Sequence, residues 1–166
     1  YIMTQRRPHI SMPLKETLSP SKGCYVCLKR QGQLRGCFGT LAPNLPRLAD
    51  DIVQNTLMAA SWDSRFLPVQ AEEINALEFS LDIVEARTLI SWPDDWDTRQ
   101  YGLQLRRRQE VLATLLPDLE GINNATQQYQ IALRKAGISF GEEISVEIFT
   151  THRLPASTNL PLHPYR

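Results

Sequence analysis

A two-stranded hairpin followed by a helix is predicted twice along this chain, at 24–61 and at 102–136, and this repetition constrains the fold more than any other feature. In the first copy, 24–29 and 34–40 are rich in strand-forming side chains and flank a turn candidate at 31–33. Hairpins and single strands interleaved with two helices lack the regular strand–helix alternation of a doubly wound protein. The pattern therefore predicts an α+β fold with a largely antiparallel sheet and two main helices.

The first helix is predicted over about 45–61, because apolar residues recur there with a period of about 3.6. Asn44 is expected to cap its N-terminus. Asp50, Asp51, Gln54 and Asn55 fall mostly on the other face of this helix. The sequence thus predicts an amphipathic helix with an apolar buried side.

The second helix has clearer end signals than the first. Asn124, with Gln127 three residues on, can form a capping box, and Gly137 after Ala136 is a typical C-cap. Further strands are predicted over 77–85, 102–107, 110–116 and 143–149. These elements complete the expected α+β arrangement.

The length of 166 residues, with 42% apolar and 22% charged side chains, predicts one compact domain or two small subdomains sharing a core. Proline-rich residues 1–22 are expected to form an extended N-terminal arm. Residues 23–154 are expected to form the domain, and 155–166 an irregular C-terminal tail. The chain opens with Tyr1, which suggests that it begins inside a longer protein.

The chain has an odd number of cysteines (Cys24, Cys27 and Cys37) and no visible secretory leader. These features favour a reducing compartment over a disulfide scaffold. The compartment would be the cytoplasm, or the nucleus if the source is eukaryotic. Cys24 and Cys27 are three apart on a predicted strand, so they would point to opposite faces and could not hold one metal. We expect no metal and no cofactor. No apolar run approaches the roughly 18 residues of a membrane span.

The net charge is zero but unevenly distributed. Residues 1–47 are strongly basic, 48–98 are strongly acidic, and 99–166 are slightly basic. The favoured interpretation is that the basic and acidic segments pack together and neutralise each other. A zero total argues against a dedicated nucleic-acid-binding protein, since such proteins depend on contacts with phosphates.

The most specific motif in the chain is the hexapeptide Leu34-Arg35-Gly36-Cys37-Phe38-Gly39. It resembles the Leu-Arg-Gly-Cys-Ile-Gly hexapeptide of the AMMECR family. A second block at 63–69, Asp-Ser-Arg-Phe-Leu-Pro-Val, resembles the family's Asp-x-Arg-Phe-x-Pro-Val, and the strand at 77–83 is similar to a family strand. The resemblance covers about residues 23–154.

This resemblance implies an α+β domain with a larger and a smaller subdomain. It also implies a protein partner, because in prokaryotes the family is often associated with a Memo-like protein and a radical S-adenosylmethionine protein. It implies no established activity. Tyr101 stands where the family commonly has His, and Asp118 where it commonly has Gln, so chemistry that needed those residues would be lost here.

Three interpretations of the hexapeptide are open, one of which is a binding groove built around it. Arg35, two residues from Cys37 on an extended strand, would share its face and could lower the pKa of its thiol. Cys37 would then be a catalytic nucleophile or redox thiol, with Asp63 and Arg65 across a cleft, although no core histidine could act as its base. Alternatively, Cys37 is a buried apolar residue, the glycines serve a bulge or close backbone approach, and Arg35 pairs with an acid such as Asp63.

Three functions follow. The first is an accessory binding module whose surface around Arg35–Gly39 recognises a small anionic ligand or a protein partner. The second is an enzyme or enzyme subunit in which Cys37 is a reactive thiol of a modification pathway linked to the Memo-like and radical S-adenosylmethionine proteins. The third is nucleic-acid binding through the basic N-terminal segment. The candidate binding residues are Leu34, Arg35, Gly36, Phe38, Gly39, Asp63 and Arg65.

Two further predictions concern a loop ion pair and the tryptophans. Asp63 and Arg65 are expected to form an ion pair that fixes their loop, in preference to a catalytic role. Trp62, Trp92 and Trp96 lie near polar loops. We expect them to pack against the domain instead of serving as exposed interface anchors.

Overall fold

The structure is a computed structural model that describes residues 21–91, 95–139 and 141–157. The elements in these ranges are β1 (Cys24–Arg30), β2 (Gln33–Thr40), α1 (Leu48–Ser61), the 3-10 helix η1 (Ala71–Ala76), β3 (Leu77–Ile90), β4 (Gly102–Arg107), β5 (Glu110–Leu115), α2 (Ala125–Ala136) and β6 (Ser145–Ser157). Most of the predicted N-terminal arm and the end of the predicted tail lie outside the described residues. Within the described ranges, no helix is long and apolar enough to span a membrane.

The strands hydrogen-bond in the order β2-β1-β3-β6-β4-β5. The pairs β1–β2, β1–β3, β4–β5 and β4–β6 are antiparallel. The predicted α+β fold with a largely antiparallel sheet and two main helices is therefore confirmed. The described residues divide into two compact units, the first made of residues 21–83 with 153–157 and the second of those between Val84 and His152.

The first unit contains a β-bulge at Arg35. In β1, Lys29 lies opposite Leu34 of β2. The next residue, Leu28, lies opposite Gly36, so Arg35 is an extra residue on β2. A bulge adds one residue to its strand, so every residue after it lies on the opposite face from the one it would otherwise occupy. The expectation of a bulge near these glycines is correct, and it determines which residues Cys37 meets.

Helix α1 packs against this hairpin at Gly36. A Cβ atom on Gly36 would lie 2.2 Å from the carbonyl oxygen of Ala59 in α1, which is far inside van der Waals contact. Only glycine allows this approach of helix to strand. The core of this unit is a cluster of buried apolar side chains: Val26, Leu28, Ala59, Ala60, Val69 and Leu77.

Helix α1 begins later than predicted, at Leu48, with Arg47 as an N-cap whose side chain makes no capping hydrogen bond. The prediction of a helix from residue 45 capped by Asn44 is wrong. Pro46 disfavours helical backbone at Leu45, because its ring crowds the preceding residue. The backbone before the helix is stabilised instead by a side chain from inside it.

That side chain is Asp51, which the sequence placed on the polar face and which is 1% exposed. Its Oδ2 accepts the backbone N–H groups of Asn44 (3.1 Å) and Leu45 (3.2 Å). Asn55, one turn on, is fully buried and donates to the carbonyl oxygen of Cys24 at 3.0 Å. The sequence placed both residues with the polar side chains opposite the apolar face, but in the structure they are buried and bind backbone groups inside the unit.

The second unit follows its sequence signals closely. The Asn124 side chain accepts the N–H of Gln127 at 2.9 Å, and Gly137 ends α2 with a φ of 66°. The Gln127 side chain accepts the N–H of Asn123 at 2.9 Å instead of that of Asn124, so only half of the predicted capping box forms. The observed hairpin, β4 and β5, ends one residue before its predicted limit. Its core is a cluster of buried side chains: Trp96, Leu103, Leu105, Ala113, Leu115, Ala125, Tyr129, Ala132, Leu133, Val146 and Ile148.

Two strands are longer than predicted. β3 continues to Ile90 and β6 to Ser157, where the hydrophobic alternation has ended. In the first unit, Arg153 of β6 donates to the buried carboxylate of Asp82 in β3 at 2.9 Å. This ion pair ties the added part of β6 to β3, and residue 155, the predicted start of the irregular tail, lies within β6.

Candidate functional site

The predicted pair of Asp63 and Arg65 forms a compact ion pair in the loop after α1. Arg65 donates through Nε to Oδ1 at 2.9 Å and through Nη2 to Oδ2 at 2.6 Å. The Cys37 backbone N–H also donates to Oδ2 at 2.9 Å. The Arg65 hydrogen bond is the main cause that lowers the pKa of Asp63 to about 2. The carboxylate therefore fixes the loop internally and also attaches it to β2.

Arg35 pairs with Glu73 and not, as suggested, with Asp63. Its Nε donates to Oε1 of Glu73 and its Nη2 to Oε2, both at 2.8 Å, which is the bidentate geometry that guanidinium favours. Its Nη1 donates to the carbonyl of Leu67 at 2.9 Å, and Nη2 also reaches that of Pro68 at 3.4 Å. The Arg35 guanidinium thus binds the segment that joins α1 to β3.

Glu73 is a site residue that the sequence reasoning missed. It lies in η1, where its carboxylate also accepts the backbone N–H of Gln70 at 2.8 Å and an N–H of Arg30 at 3.3 Å. Hydrogen bonding from Arg35 is the main cause that lowers the pKa of Glu73 to about 2. The available signal was the excess of basic residues before α1 and of acidic residues after it, which predicted pairing without giving the partners.

Cys37 lies directly opposite Cys27, and the two form a disulfide. A two-residue turn without a bulge would have placed Cys37 opposite Val26, on the face that packs against α1. The extra residue Arg35 moves Cys37 to the other face. The sequence favoured a reducing compartment over a disulfide scaffold and did not predict this one pair. The sulfur of Cys37 and the guanidinium of Arg35 have different partners.

Cys24 is separate from that pair. It is fully buried, and Asn55 donates to its sulfur at 3.3 Å. Burial is the main cause that raises the pKa of its thiol to about 11, so the thiolate is disfavoured. The C-x-x-C of Cys24 and Cys27 does not act as a unit, which agrees with the prediction that the two residues lie on opposite faces. Within the described part of the chain, no cluster of three or more His, Cys, Asp or Glu could hold a metal.

Among the other hexapeptide residues, Phe38 and Gly39 have packing roles, whereas Leu34 is partly exposed. Phe38 packs against the core of the first unit. Gly39 lies so close to β1 that a Cβ atom would be 2.2 Å from the carbonyl oxygen of Cys24 and 2.5 Å from the Cα of Tyr25. Leu34 is 39% exposed. The expectation that the glycines permit close backbone approach is correct.

The loop after α1 exposes two large apolar side chains. Trp62 is 74% exposed and Leu67 is 82% exposed. Phe66 precedes Leu67 in this loop. The guanidinium carbons of Arg35 and Arg65 lie 6.0 and 5.5 Å from the centroid of its ring. The expectation that the tryptophans pack is wrong for Trp62. Trp92 lies outside the described residues.

Trp96, in contrast, is buried as expected and donates through Nε1 to Gln128 at 2.6 Å. Among the described residues of the basic first segment, Arg30 and Arg35 pair with Glu73, and Arg47 pairs with Asp50. These pairs agree with the expected neutralisation between segments. They leave the described part of the basic segment without a set of uncommitted arginines for phosphate.

The chain matches the AMMECR1 family model over residues 1–154, a range that includes the segment predicted as an arm. A Thermotoga maritima protein is 34% identical over 148 residues, which are 88% of this chain and 84% of that protein. A Clostridium acetobutylicum protein is 34% identical over 132 residues, which are 80% of this chain but only 28% of that protein.

The fold has a solved counterpart in the crystal structure of an uncharacterized protein from Pyrococcus horikoshii. The TM-score is 0.74, with 22% sequence identity, and the alignment covers 92% of this chain and 82% of the other. At this identity the likeness concerns the fold alone. The family model, which matches most of the chain, and the Thermotoga relative give the assignment: the chain belongs to the AMMECR1 family.

Proposed function

We propose that this domain is an accessory module that binds a protein partner through the loop Trp62–Leu67, here called the docking loop. The observation that carries the proposal is the exposure of Trp62 and Leu67, at 74% and 82%, on a loop that ion pairs hold in place. Tryptophan is among the residues that contribute most to binding at protein interfaces. An apolar pair so exposed gains free energy when a partner covers it.

The bracing supports binding as well as folding. Arg35 holds the loop at the carbonyls of Leu67 and Pro68, and Asp63 holds it to the backbone of Cys37. A loop that is already ordered loses less conformational entropy when a partner binds. The hexapeptide around Arg35–Gly39 would thus act by supporting the binding surface, with Leu34 as its exposed apolar member.

A small anionic ligand is less well supported than a protein. The guanidinium groups that could bind an anion already donate to Glu73, Asp63 and two backbone carbonyls. An anion would have to displace a carboxylate from its bidentate pair with arginine. The hydrogen bonds that the anion formed would only replace those that the carboxylate lost, so little binding free energy would result. Apolar contact needs no such exchange.

The partner is proposed from two sources. The family resemblance implies a Memo-like protein or a radical S-adenosylmethionine protein. The Clostridium relative supports a partnership of some kind, because the aligned domain makes up 28% of that polypeptide and most of it lies outside the match. A domain that is joined to other protein in one organism is well suited to bind a separate protein in another.

Titration calorimetry of the purified chain with the Memo-like and the radical S-adenosylmethionine proteins of the same organism tests the proposal. Trp62→Ala is expected to weaken binding by at least about thirtyfold, the effect of losing a central anchor worth about 2 kcal/mol. Leu67→Ala is expected to weaken it by about tenfold.

Leu89→Ala is the matched control, because Leu89 is 70% exposed on β3, outside the docking loop. Its affinity is expected to stay within about twofold of the original, which is less than 0.5 kcal/mol. Absence of binding to both proteins, or equal losses in the Leu67 and Leu89 variants, would contradict the proposal.

A further inference from the structure

We propose that Cys27 and Cys37 are a reversible dithiol–disulfide couple that exchanges with low-molecular-weight thiols, and that Cys37 is the sulfur that exchanges. The proposal rests on the hairpin geometry and is independent of the docking loop. It assigns a chemical role to a cysteine pair that the sequence pattern did not reveal.

The first argument is the register. Cys27 and Cys37 are direct cross-strand partners with their Cα atoms 4.1 Å apart, and residue pairs on both sides of them, Val26 with Phe38 and Leu28 with Gly36, keep the strands aligned. Because the sheet itself holds the two residues together, the partner thiol is present at a high effective concentration when one sulfur reacts. Oxidation and reduction therefore require no rearrangement of the strands.

The second argument is the difference in access. Cys27 is 7% exposed and lies on β1, which pairs with β2 on one side and with β3 on the other, at Ser80. Cys37 is half-buried on β2, which is the terminal strand among those that the structure describes. Thiol–disulfide exchange needs access to the sulfur that is attacked. An incoming small thiol or disulfide would therefore react at Cys37, and Cys27 would act as the resolving cysteine.

The third argument is that the remaining cysteine cannot compete. Cys24 is fully buried on the opposite face of β1, with its sulfur held by Asn55. Burial raises the pKa of its thiol to about 11, so little thiolate forms near neutral pH. The three cysteines thus divide into one reactive pair and one inert residue.

The reaction balances with glutathione disulfide as the oxidant. The Cys37 thiol loses its proton and attacks one sulfur of glutathione disulfide; a mixed disulfide forms and one glutathione thiolate leaves. The Cys27 thiol then loses its proton and attacks Cys37, which releases the second glutathione. Two electrons pass from the protein to glutathione disulfide. The two protons lost by the cysteines are taken up by the two glutathione thiolates, which become thiols. Excess reduced glutathione reverses both steps.

The test uses the unmodified chain, equilibrated in buffers of graded reduced-to-oxidised glutathione ratio, quenched with an alkylating reagent and mapped by mass spectrometry. We expect alkylation of Cys27 and Cys37 to disappear together as the ratio falls, with a disulfide between them, and to return together on reduction. Cys24 should be alkylated only after denaturation. Independent titration of the two residues, or a stable glutathione adduct as the main product, would overturn the proposal.

Single variants test the direction of exchange. In Cys27→Ser, Cys37 should accumulate one glutathione adduct, whereas in Cys37→Ser the buried Cys27 should do so at least about tenfold more slowly. Equal rates, or a faster reaction at Cys27, would overturn the assignment of Cys37. If either variant fails to fold, as judged by circular dichroism, early quenching of the unmodified chain still identifies which cysteine carries the transient adduct.

Discussion

Both units pack a helix beside a bulged antiparallel hairpin, but the hydrogen bonds that stabilise the ends of the helix differ between them. In the second unit, Asn124 and Gly137 cap the ends of α2 as the sequence indicates. In the first unit, Arg47 makes no side-chain cap for α1, and Asp51 inside the helix binds the preceding backbone. The second unit therefore follows local rules, whereas the first depends on contacts between segments distant in sequence.

The buried polar groups differ in the same way. Gln128 in α2 uses both ends of its amide, accepting from Trp96 at 2.6 Å and donating to the Tyr101 carbonyl at 3.1 Å. In α1, one oxygen each of Asp51 and Asn55 is buried without a hydrogen-bond partner among the described residues. Natural proteins depart from local consistency mainly where another requirement competes with stability. The first unit, which carries the hexapeptide and the docking loop, is where such departures occur.

Replacing Gly36 with alanine should show the largest difference between the units. The new Cβ would meet the Ala59 carbonyl at 2.2 Å, and the backbone would have to move, so we expect unfolding free energy to fall by about 3 kcal/mol. Gly137→Ala in the second unit adds a Cβ into open space at a φ of 66°, and should cost about 1 kcal/mol. Urea unfolding measures both, and equal losses would contradict the close approach of α1 to β2.

Acid should weaken the first unit through Asp63 and Glu73. Both have a pKa of about 2 in the folded protein, below the usual value, so the unfolded chain binds protons first as pH falls. The stability they provide is complete above about pH 5 and is lost as pH falls toward 2. Asp63→Asn should lower stability at pH 7 by about 1 kcal/mol, because solvent screens the partly exposed pair, and should remove only the Asp63 part of this acid dependence, leaving the part due to Glu73.

The matched control for that variant is Glu142→Gln in the second unit, since Glu142 pairs with Arg107 and both side chains are well exposed. Exposed ion pairs contribute less than about 1 kcal/mol. Urea unfolding at a series of pH values compares the two variants. A flat acid dependence in the unmodified chain would show that the Asp63 and Glu73 pairs do not stabilise it.

The helix caps should give the smallest difference. Asn124→Ala removes the hydrogen bond to the Gln127 backbone and should cost about 1 kcal/mol. Asn44→Ala loses only an exposed contact from its side chain to Thr40, and should cost less than about 0.5 kcal/mol. Thermal unfolding of both variants checks the order. A greater loss for Asn44 would mean that it caps α1 after all.

Sequence reasoning was most successful where a signal is local. The α2 caps, both hairpins and the ion pair of Asp63 with Arg65 are each specified within a few residues, because turn and cap geometry depends on the residues that form them. It failed for Asp51, whose burial depends on backbone groups that the chain brings to it. It also missed Glu73, because Arg35 lies 38 residues away and no periodicity links the two.

What the sequence by itself determined is the family, the α+β class and the presence of a glycine-flanked hexapeptide that demands close backbone packing. What only the tertiary structure decided is the partner of each hexapeptide side chain. One extra residue in β2 moves Cys37 from the face that packs against α1 to the face of Cys27. Arg35 binds Glu73 and thereby braces the segment before β3 instead of binding a ligand. The reason is that strand faces alternate with every residue, so a single bulge reassigns all contacts beyond it, and no local pattern records that choice.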